Sequence, residues 1–155
     1  MSYYTWGKCF EDFKVGDRFT TVGRTSTESD ILLFSSLTGD FNQIHTDEEH
    51  SKTLFFKTRI NQGLLTFALS HSLIMRGGLF ASIEEAQLQA LHSLRFPGPT
   101  IPGDTLTVEF EVKCLRANSG QPGYGVMTIN MVTKNQRDEI VLTAETSHLK
   151  RKRTA

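Results

Sequence analysis

The sequence is poor in several features that mark particular classes of protein. Its 155 residues include 2 cysteines, 4 prolines and 1 tryptophan. Cys9 and Cys114 lie far apart without the spacing of a metal site, and the chain has no Asn-x-Ser/Thr sequon. A secreted fold held by disulfides is therefore not expected, and a reducing, cytoplasmic location is.

The chain also lacks an excess of charge and a long hydrophobic run. Seventeen basic and seventeen acidic residues give a net charge of zero, so no overall field attracts nucleic acid or an anionic membrane. We expect neither as a partner. The N-terminus has no signal-peptide run, and the most apolar stretch, residues 63–75, is too short to span a bilayer. The basic run Lys150–Arg153 is interpreted as part of a disordered, solvated tail over residues 149–155.

Apolar residues are, in contrast, sufficient for one core. The hydrophobic fraction is 38%, and 11 of the residues are phenylalanine. Neither internal repeats nor a low-complexity linker divides the chain. The sequence therefore predicts a single domain over residues 1–155.

The apolar spacing predicts a mixed α+β architecture. A helix near 29–37, opened by Ser26 or Thr27, has apolar residues three or four positions apart. A second helix, 62–76, is apolar in nearly every direction, which is typical of a helix enclosed by protein, and Gly77-Gly78 is expected to end it. Strands are predicted at 18–25, 87–96, 105–114, 125–133 and 140–149.

The third of these strands has the strictest alternation. It is predicted to place one set of side chains on its inner face, namely Leu106, Val108, Phe110, Val112 and Cys114. Short connections between the later strands favour antiparallel pairing. A mostly antiparallel curved sheet of about five strands, wrapped around one long central helix, describes the hot-dog fold.

A polar loop follows the first helix and contains the candidate chemistry. Asp40 and His45 are five residues apart in this loop, which begins at Gly39. A carboxylate and an imidazole together can polarise a water molecule and move a proton near neutral pH. These residues alone leave open whether the two form a catalytic pair or are ordinary surface residues.

A metal site is not expected in this region. His45, Asp47 and His50 are the nearest approach to a ligand set, and their spacing matches neither His-Glu-x-x-His nor another usual zinc pattern. We expect no metal and no cofactor.

Three segments together resemble a known family. Gly39-Asp40-Phe41-Asn42-Gln43-Ile44-His45 resembles the Gly-Asp-x-Asn-Pro-x-His signature of the MaoC-like (R)-specific enoyl-CoA hydratases. The segment 59–66, Arg-Ile-Asn-Gln-Gly-Leu-Leu-Thr, is similar to the family's segment at the start of the central helix. The segment 94–106 resembles its Phe-x-x-Pro-x-x-x-Gly-Asp-Thr-Leu sequence. The resemblance extends from about Phe10 to Leu149.

The resemblance implies roles for particular residues. Asp40 and His45 would hold and activate the water that adds to a trans-2-enoyl thioester, and Asn42 would orient them. The backbone N–H of Gly63 would bind the thioester carbonyl. Chemistry supports this last role independently, because an N–H group at a helix N-terminus stabilises the enolate charge that develops on that oxygen.

Three positions depart from the family pattern. Gln43 stands where relatives usually have proline, and Gln62 replaces the histidine before the helix glycine. Asn61 replaces a small apolar residue, so this end of the helix is more polar than in relatives. We expect Gln62 to contact substrate, and acyl preference to be the property that differs most.

The function that follows is hydration of trans-2-enoyl-CoA, or the reverse dehydration of (R)-3-hydroxyacyl-CoA, in fatty acid metabolism. The substrate would be an acyl-CoA thioester, with acyl carrier protein as an alternative carrier. Two alternatives stay open: a hot-dog acyl-CoA thioesterase and a subunit that binds acyl thioesters without turnover. A homodimer is expected, because the family usually pairs two sheets and the sheet leaves an edge to cover.

Overall fold

The fold is a curved antiparallel sheet with one long helix against its inner face. A computed structural model describes residues 9–76 and 86–153. After a short 3₁₀ helix at Phe10–Asp12, the elements are β1 (Arg18–Thr20), β2 (Arg24–Thr25), α1 (Glu28–Thr38), α2 (Gln43–Thr46), α3 (Glu48–Thr53), α4 (Gly63–Arg76), β3 (Ala86–Arg95), β4 (Thr105–Ala117), β5 (Tyr124–Lys134) and β6 (Ile140–Arg151).

The sheet has the strand order β1-β4-β5-β6-β3, and β2 pairs with β4 beside β1. All of these pairings are antiparallel. The predicted α+β hot-dog fold is confirmed. It has six strands because the segment expected to form one strand, 18–25, forms the two strands β1 and β2. Between its two halves, the Thr21 hydroxyl accepts a hydrogen bond from the Val108 N–H, so a side chain interrupts the regular pairing there.

The hydrophobic core lies between α4 and the inner face of the sheet. The buried side chains of α4 pack against those of the central strands, and the largest of these are Leu73, Ile74, Leu106, Met127, Ile129, Met131 and Leu142. The helix is buried on the side that faces the sheet, but Leu64 is 60% exposed and Ala68 is exposed as well. The described residues therefore do not enclose α4 on nearly every side, as its apolar sequence predicts.

Local signals at both ends of α1 explain why the helix has the predicted limits. Thr27 is the N-cap, and its hydroxyl accepts a hydrogen bond from the Asp30 N–H while the Asp30 carboxylate accepts one from the Thr27 N–H. Gly39 ends the helix in the left-handed conformation, with φ of 79°, which costs glycine little. This turn directs the chain into the polar loop.

The predicted inner face of β4 is wrong at its last member. The register against β5 shifts between Val112 and Cys114, and one extra residue in a strand reverses which side chains face inward. Cys114 is therefore exposed, whereas Leu115 packs against the core.

The expectation of a disordered tail is also wrong over residues 149–153. Strand β6 continues to Arg151, and Lys150 is buried with its ammonium 5.9 Å from the centre of the Phe13 ring. Arg153 pairs with the carboxylate of Asp12. The predicted helix end at Gly77-Gly78 and the last two residues of the chain lie outside the described residues.

Two histidines stack inside the fold. The rings of His71 on α4 and His148 on β6 are nearly parallel, with centres 5.4 Å apart. His148 is fully buried, and its Nε2 lies 2.9 Å from the Thr146 hydroxyl. Burial, reinforced by the charge that His71 would carry, lowers the pKa of His148 to about 3. Burial also lowers the pKa of His71, so the pair is neutral in the folded protein.

We expect the folded state to lose stability as the pH falls below about 6.5. An unfolded chain takes up a proton at His148 near pH 6.5, the ordinary pKa of histidine, whereas the folded chain does so only near pH 3. Between pH 7 and pH 5 this difference removes about 2 kcal/mol of unfolding free energy. Denaturant unfolding at the two pH values measures it. In His148→Gln, most of the change in unfolding free energy between the two pH values should disappear. His50→Gln, at an exposed histidine, should keep this change. An equal change in both variants would contradict the assignment.

Candidate functional site

The polar loop after α1 is shaped by its own short side chains. The Asp40 carboxylate accepts a hydrogen bond from the Asn42 N–H at 3.3 Å, and the Asn42 side-chain oxygen accepts one from the Ile44 N–H, which caps α2. Gln43 is the exposed first residue of α2. Proline is common at the first position of a helix because the N–H that it lacks would have no intrahelical acceptor there. Glutamine at this position therefore changes no hydrogen bond within the helix.

A backbone carbonyl fixes the orientation of the His45 ring. Nδ1 lies 2.8 Å from the carbonyl oxygen of Ile60. Because a carbonyl only accepts hydrogen bonds, Nδ1 carries the proton and the lone pair of the neutral ring is on Nε2. Ile60 is itself held by its N–H, which donates to the Ile44 carbonyl. Two hydrogen bonds between Ile60 and residues 44–45 therefore fix the orientation of the His45 ring.

The free nitrogen of His45 faces Asp40. Nε2 lies 3.8 Å from the Asp40 Oδ2, too far for a direct hydrogen bond but close enough for both atoms to bind one water molecule. A water has two protons to donate, and these two atoms are both acceptors. The His45 side chain is 12% exposed and that of Asp40 43% exposed, so the pair lies where solvent meets the interior.

Ion pairs tie the surrounding helices together. The Arg59 guanidinium donates to both carboxylate oxygens of Glu28 and to Glu48, which joins the start of α1 to α3. These contacts hold the pKa of the Glu48 carboxyl below its usual value. Arg59, which lies in the second segment of family resemblance, thus pairs with one carboxylate on α1 and one on α3.

A cavity of about 320 Å³ opens beside the histidine, within the size range of small-molecule sites. Its lining residues are His45, Phe55, Phe56, Ile60, Asn61, Gly63, Thr66, Phe96, Pro97, Gly98, Pro99, Thr100 and Val141. Phe55, 90% exposed, marks the mouth. Thr66, Thr100 and Val141 are buried and form the floor.

Gly63 presents its backbone to this cavity at the start of α4. As the first helical residue it has an N–H without an intrahelical acceptor. A Cβ on Gly63 would lie 3.1 to 3.3 Å from three atoms of the Phe96 ring, so only glycine leaves this space open without displacing the ring.

The structure brings together some of the predicted site residues and separates others. His45 and Gly63 line the cavity, and Asp40 lies beside His45. Asn42 caps α2 and Gln62 points away, and neither is among the lining residues. The Gln62 side chain is 2% exposed, and its Nε2 donates to the Ser35 hydroxyl at 2.8 Å. Instead of a substrate contact, this geometry gives Gln62 a positioning role between α1 and α4.

Sequence reasoning missed the aromatic and polar lining. Phe55, Phe56 and Thr100 come from loops, and Val141 comes from a strand distant in sequence. Thr100 did belong to a segment of family resemblance, as did Phe96 and Pro97, and this resemblance was the available signal. Their position opposite Gly63 depends on the pairing of β3 with β6, which no local pattern specifies.

We expect Gln62→Ala to destabilise the fold by about 1–3 kcal/mol, because the variant leaves the buried Ser35 hydroxyl without this donor and opens a void. Denaturant unfolding of Gln62→Ala, Ser35→Ala and the double variant measures the coupling. Additive effects of the two single changes would contradict a direct interaction.

Two further observations concern what the described residues lack. Within residues 9–76 and 86–153, no three His, Cys, Asp or Glu side chains come close enough together to hold a metal ion. Over the same residues, the helices are too short or too polar to cross a membrane.

Comparison of the sequence with known proteins identifies a family model and several relatives. A family model described as the MaoC like domain matches residues 12–139. The (R)-specific enoyl-CoA hydratase of Rhodospirillum rubrum is 32% identical over 108 residues, 66% of this chain and 68% of that protein. The beta-methylmalyl-CoA dehydratase of Chloroflexus aurantiacus is 30% identical over 142 residues, 88% of this chain but 38% of that longer protein.

Solved structures agree over almost the whole chain. The MaoC-like dehydratase from Rhodospirillum rubrum superposes with a TM-score of 0.82 at 28% identity, covering 96% of this chain and 100% of the other. The monoamine oxidase regulatory protein from Archaeoglobus fulgidus gives the same TM-score at 33% identity, covering 95% and 96%.

Proposed function

The chain belongs to the MaoC-like family of hydratases and dehydratases, and from that premise we propose that it adds water to trans-2-enoyl-CoA thioesters to give (R)-3-hydroxyacyl products, and catalyses the reverse dehydration. One observation carries the proposal. The Nε2 of His45 and the Oδ2 of Asp40 are two acceptors 3.8 Å apart, a separation that suits one shared water molecule.

The proposed reaction begins with this water. Its oxygen forms a bond to C3 of the enoyl group, while one of its protons moves to the Asp40/His45 pair. The electron pair of the C2=C3 bond shifts toward the thioester oxygen as enolate charge. A proton from the pair then bonds to C2, so that the elements of one water molecule are added and the pair returns to its starting state.

Gly63 supports the same step from the other side of the substrate. Its N–H, at the positive end of the α4 dipole, would donate to the thioester oxygen as the enolate charge develops. Gly63 and His45 line one cavity, so a substrate held at both would have its C3 near the water. The cavity mouth at Phe55 would then admit the pantetheine arm of CoA or of acyl carrier protein.

We also propose a homodimer formed along β3. This strand is at one end of the sheet, and among residues 9–76 and 86–153 it pairs only with β6. A strand edge that has no partner is a site for further pairing. Leu88 and Leu91 on β3 and Leu64 on α4 are exposed apolar side chains. Analytical ultracentrifugation is expected to give twice the mass of the chain, and a monomer at micromolar concentration would contradict the proposal.

The hydratase proposal is tested with purified protein and crotonyl-CoA, followed by loss of the enoyl absorbance and by the chirality of the product. Formation of (R)-3-hydroxybutyryl-CoA supports it. Longer and branched enoyl-CoA thioesters extend the panel. Release of free CoA thiol would instead indicate a thioesterase, and tight thioester binding without turnover across the panel would indicate a binding subunit.

A further inference from the structure

A basic cavity lies at the end of β6, and the proposed reaction does not use it. Its volume is about 450 Å³, and its lining includes the consecutive cations Arg151, Lys152 and Arg153, with Tyr124 opposite Arg151 on β5. Glu11 is the one acidic residue that the described part of the chain contributes to this lining. The lining therefore has a net positive charge, which suits phosphate groups.

Hydrogen bonds hold the basic run in place. The Lys152 N–H donates to the Gly123 carbonyl at 2.9 Å, and the Arg153 N–H donates to the Glu11 carboxylate at 2.9 Å. The Arg153 guanidinium also pairs with Asp12. Because Arg153 already serves these acids, Lys152 is the cation whose substitution tests the cavity with the least disturbance of the fold.

A substrate in the cavity that contains His45 cannot place its diphosphate in the basic cavity of the same chain. Val141 lines the first cavity and Arg151 lines the second. At about 3.4 Å per residue, these two residues lie roughly 30 Å apart along β6. The pantetheine arm of CoA has the length of about five extended residues, or ~16 Å. The arm therefore ends well short of the basic cavity of its own chain.

The edge of β3 favours pairing with a second copy. Residues 87–93 are exposed or half-buried, and residues 86–94 contain no Asp, Glu, Lys, Arg or Pro to discourage strand pairing. A two-fold axis perpendicular to the sheet makes the two copies of β3 antiparallel. It also leaves both α4 helices on one face of the combined sheet, where the exposed Leu64 and Ala68 would add apolar surface to the contact.

The register of β3 against β6 shows which ends then meet. Ala86, at the start of β3, is opposite Lys150, which begins the basic run. Arg95, at the end of β3, is opposite Thr143 and precedes Phe96 of the cavity that contains His45. In an antiparallel pair along the whole of β3, the end of one strand lies beside the start of the other. The second copy's β6 then ends two strand spacings away, about 10 Å, within reach of the pantetheine arm.

We propose that the second copy completes the substrate site, because its basic cavity binds the phosphate groups of a CoA whose thioester is held at Gly63 and His45 of the first copy. The inference rests on the proposed function and on the proposed dimer. Each dimer then has two equivalent sites, and each site holds the reacting group on one chain and the phosphates on the other. The phosphopantetheine of acyl carrier protein offers a phosphate of the same chemistry.

Binding of an unreactive thioester tests the phosphate contact without turnover. Calorimetry gives the dissociation constants of butyryl-CoA and of butyryl-pantetheine, which has no phosphate. We expect Lys152→Ala to weaken butyryl-CoA binding about tenfold and to leave butyryl-pantetheine binding unchanged. Lys14→Ala, at an exposed lysine just before β1 and hence near the opposite edge of the sheet, is the matched control and should change neither value. Unchanged binding of butyryl-CoA to Lys152→Ala, or equal weakening of both ligands, overturns the inference.

A third ligand, butyryl-4′-phosphopantetheine, distinguishes the two carriers. If Lys152→Ala weakens its binding as well, the cavity contacts the phosphate that CoA shares with acyl carrier protein. If only butyryl-CoA is weakened, the contact is to the phosphates of the nucleotide, which acyl carrier protein lacks. Both results support the basic cavity as a phosphate site, and each assigns it to its carrier.

Mixed dimers show which chain supplies the cation. A dimer purified with His45→Ala in one chain and Lys152→Ala in the other has one site with an intact His45. If the phosphates bind to the opposite chain, this site has an intact Lys152, and its KM for crotonyl-CoA should be native. The Lys152→Ala homodimer should instead show a KM raised about tenfold with kcat retained. An equally raised KM in the mixed dimer would place both residues of a site on one chain and overturn the inference.

Binding, mass and turnover separate this inference from the function on which it rests. Weaker binding of butyryl-CoA to Lys152→Ala without hydration of any enoyl-CoA would refute the hydratase proposal alone. Hydration of crotonyl-CoA by a protein that is monomeric in ultracentrifugation, or whose Lys152→Ala variant binds butyryl-CoA normally, would refute the shared site and leave the hydratase proposal standing.

Discussion

His45→Ala is expected to lower the rate of crotonyl-CoA hydration by about 10³-fold or more, because it removes the ring nitrogen that, with Asp40, is proposed to bind the reacting water. The fold should persist, since the side chain lies at the edge of the cavity and outside the buried core. Steady-state kinetics with a circular dichroism spectrum measure both effects.

Asp40→Asn is expected to act similarly while keeping the shape of the loop. The amide oxygen can still accept the Asn42 N–H, but the neutral side chain neither takes a proton nor stabilises a charged imidazole. His50→Ala is the matched control: this exposed histidine on α3 lies five residues after His45. Near-normal turnover in both site variants would contradict the mechanism.

The second large effect is expected at Gly63. Gly63→Ala places a methyl group 3.1 to 3.3 Å from the Phe96 ring, so the ring or the helix start must shift. Because the N–H of this residue is proposed to bind the developing enolate, displacement should reduce the rate by about 10²–10³-fold, the usual effect of losing one oxyanion donor.

The control for Gly63 is another glycine in an open position. A Cβ at Gly123 meets no atom within 4 Å, so Gly123→Ala should leave activity unchanged. If Gly63→Ala also keeps the full rate while its melting temperature is unchanged, the N–H is not the oxyanion donor.

Elements defined by local chemistry can be predicted from the sequence. The limits of α1 follow from the Thr27/Asp30 capping box and the left-handed Gly39, which are visible as residue types. The burial of α4 against the sheet is evident from its many apolar residues, but the exposure of Leu64 on the same helix is not. The polar composition of the loop and its resemblance to a family signature locate Asp40 and His45.

Features set by tertiary pairing cannot be predicted in this way. The shift between Val112 and Cys114 is a property of two paired strands, and an alternating pattern in one strand does not reveal it. The charge of Lys150 suggests a solvated tail at the end of β6, yet the strand carries the stem of this side chain into the interior beside Phe13.

The candidate site likewise has features that the sequence predicts and features that depend on tertiary contacts. Residue types in the loop indicate the pair, but not which nitrogen of His45 is free, since that depends on the Ile60 carbonyl fifteen residues away. The expectation that Gln62 contacts substrate rests on its position next to Gly63. Gln62 comes before the first residue of α4, and its side chain faces Ser35 instead.

The fate of labelled water during turnover distinguishes addition to the double bond from attack on the thioester. The protein is incubated with crotonyl-CoA in H₂¹⁸O, and the products are analysed by mass spectrometry and chiral separation. We expect the label in the C3 hydroxyl of (R)-3-hydroxybutyryl-CoA, with the thioester intact. Label in a free carboxylate together with released CoA would show attack at the carbonyl carbon and contradict this expectation.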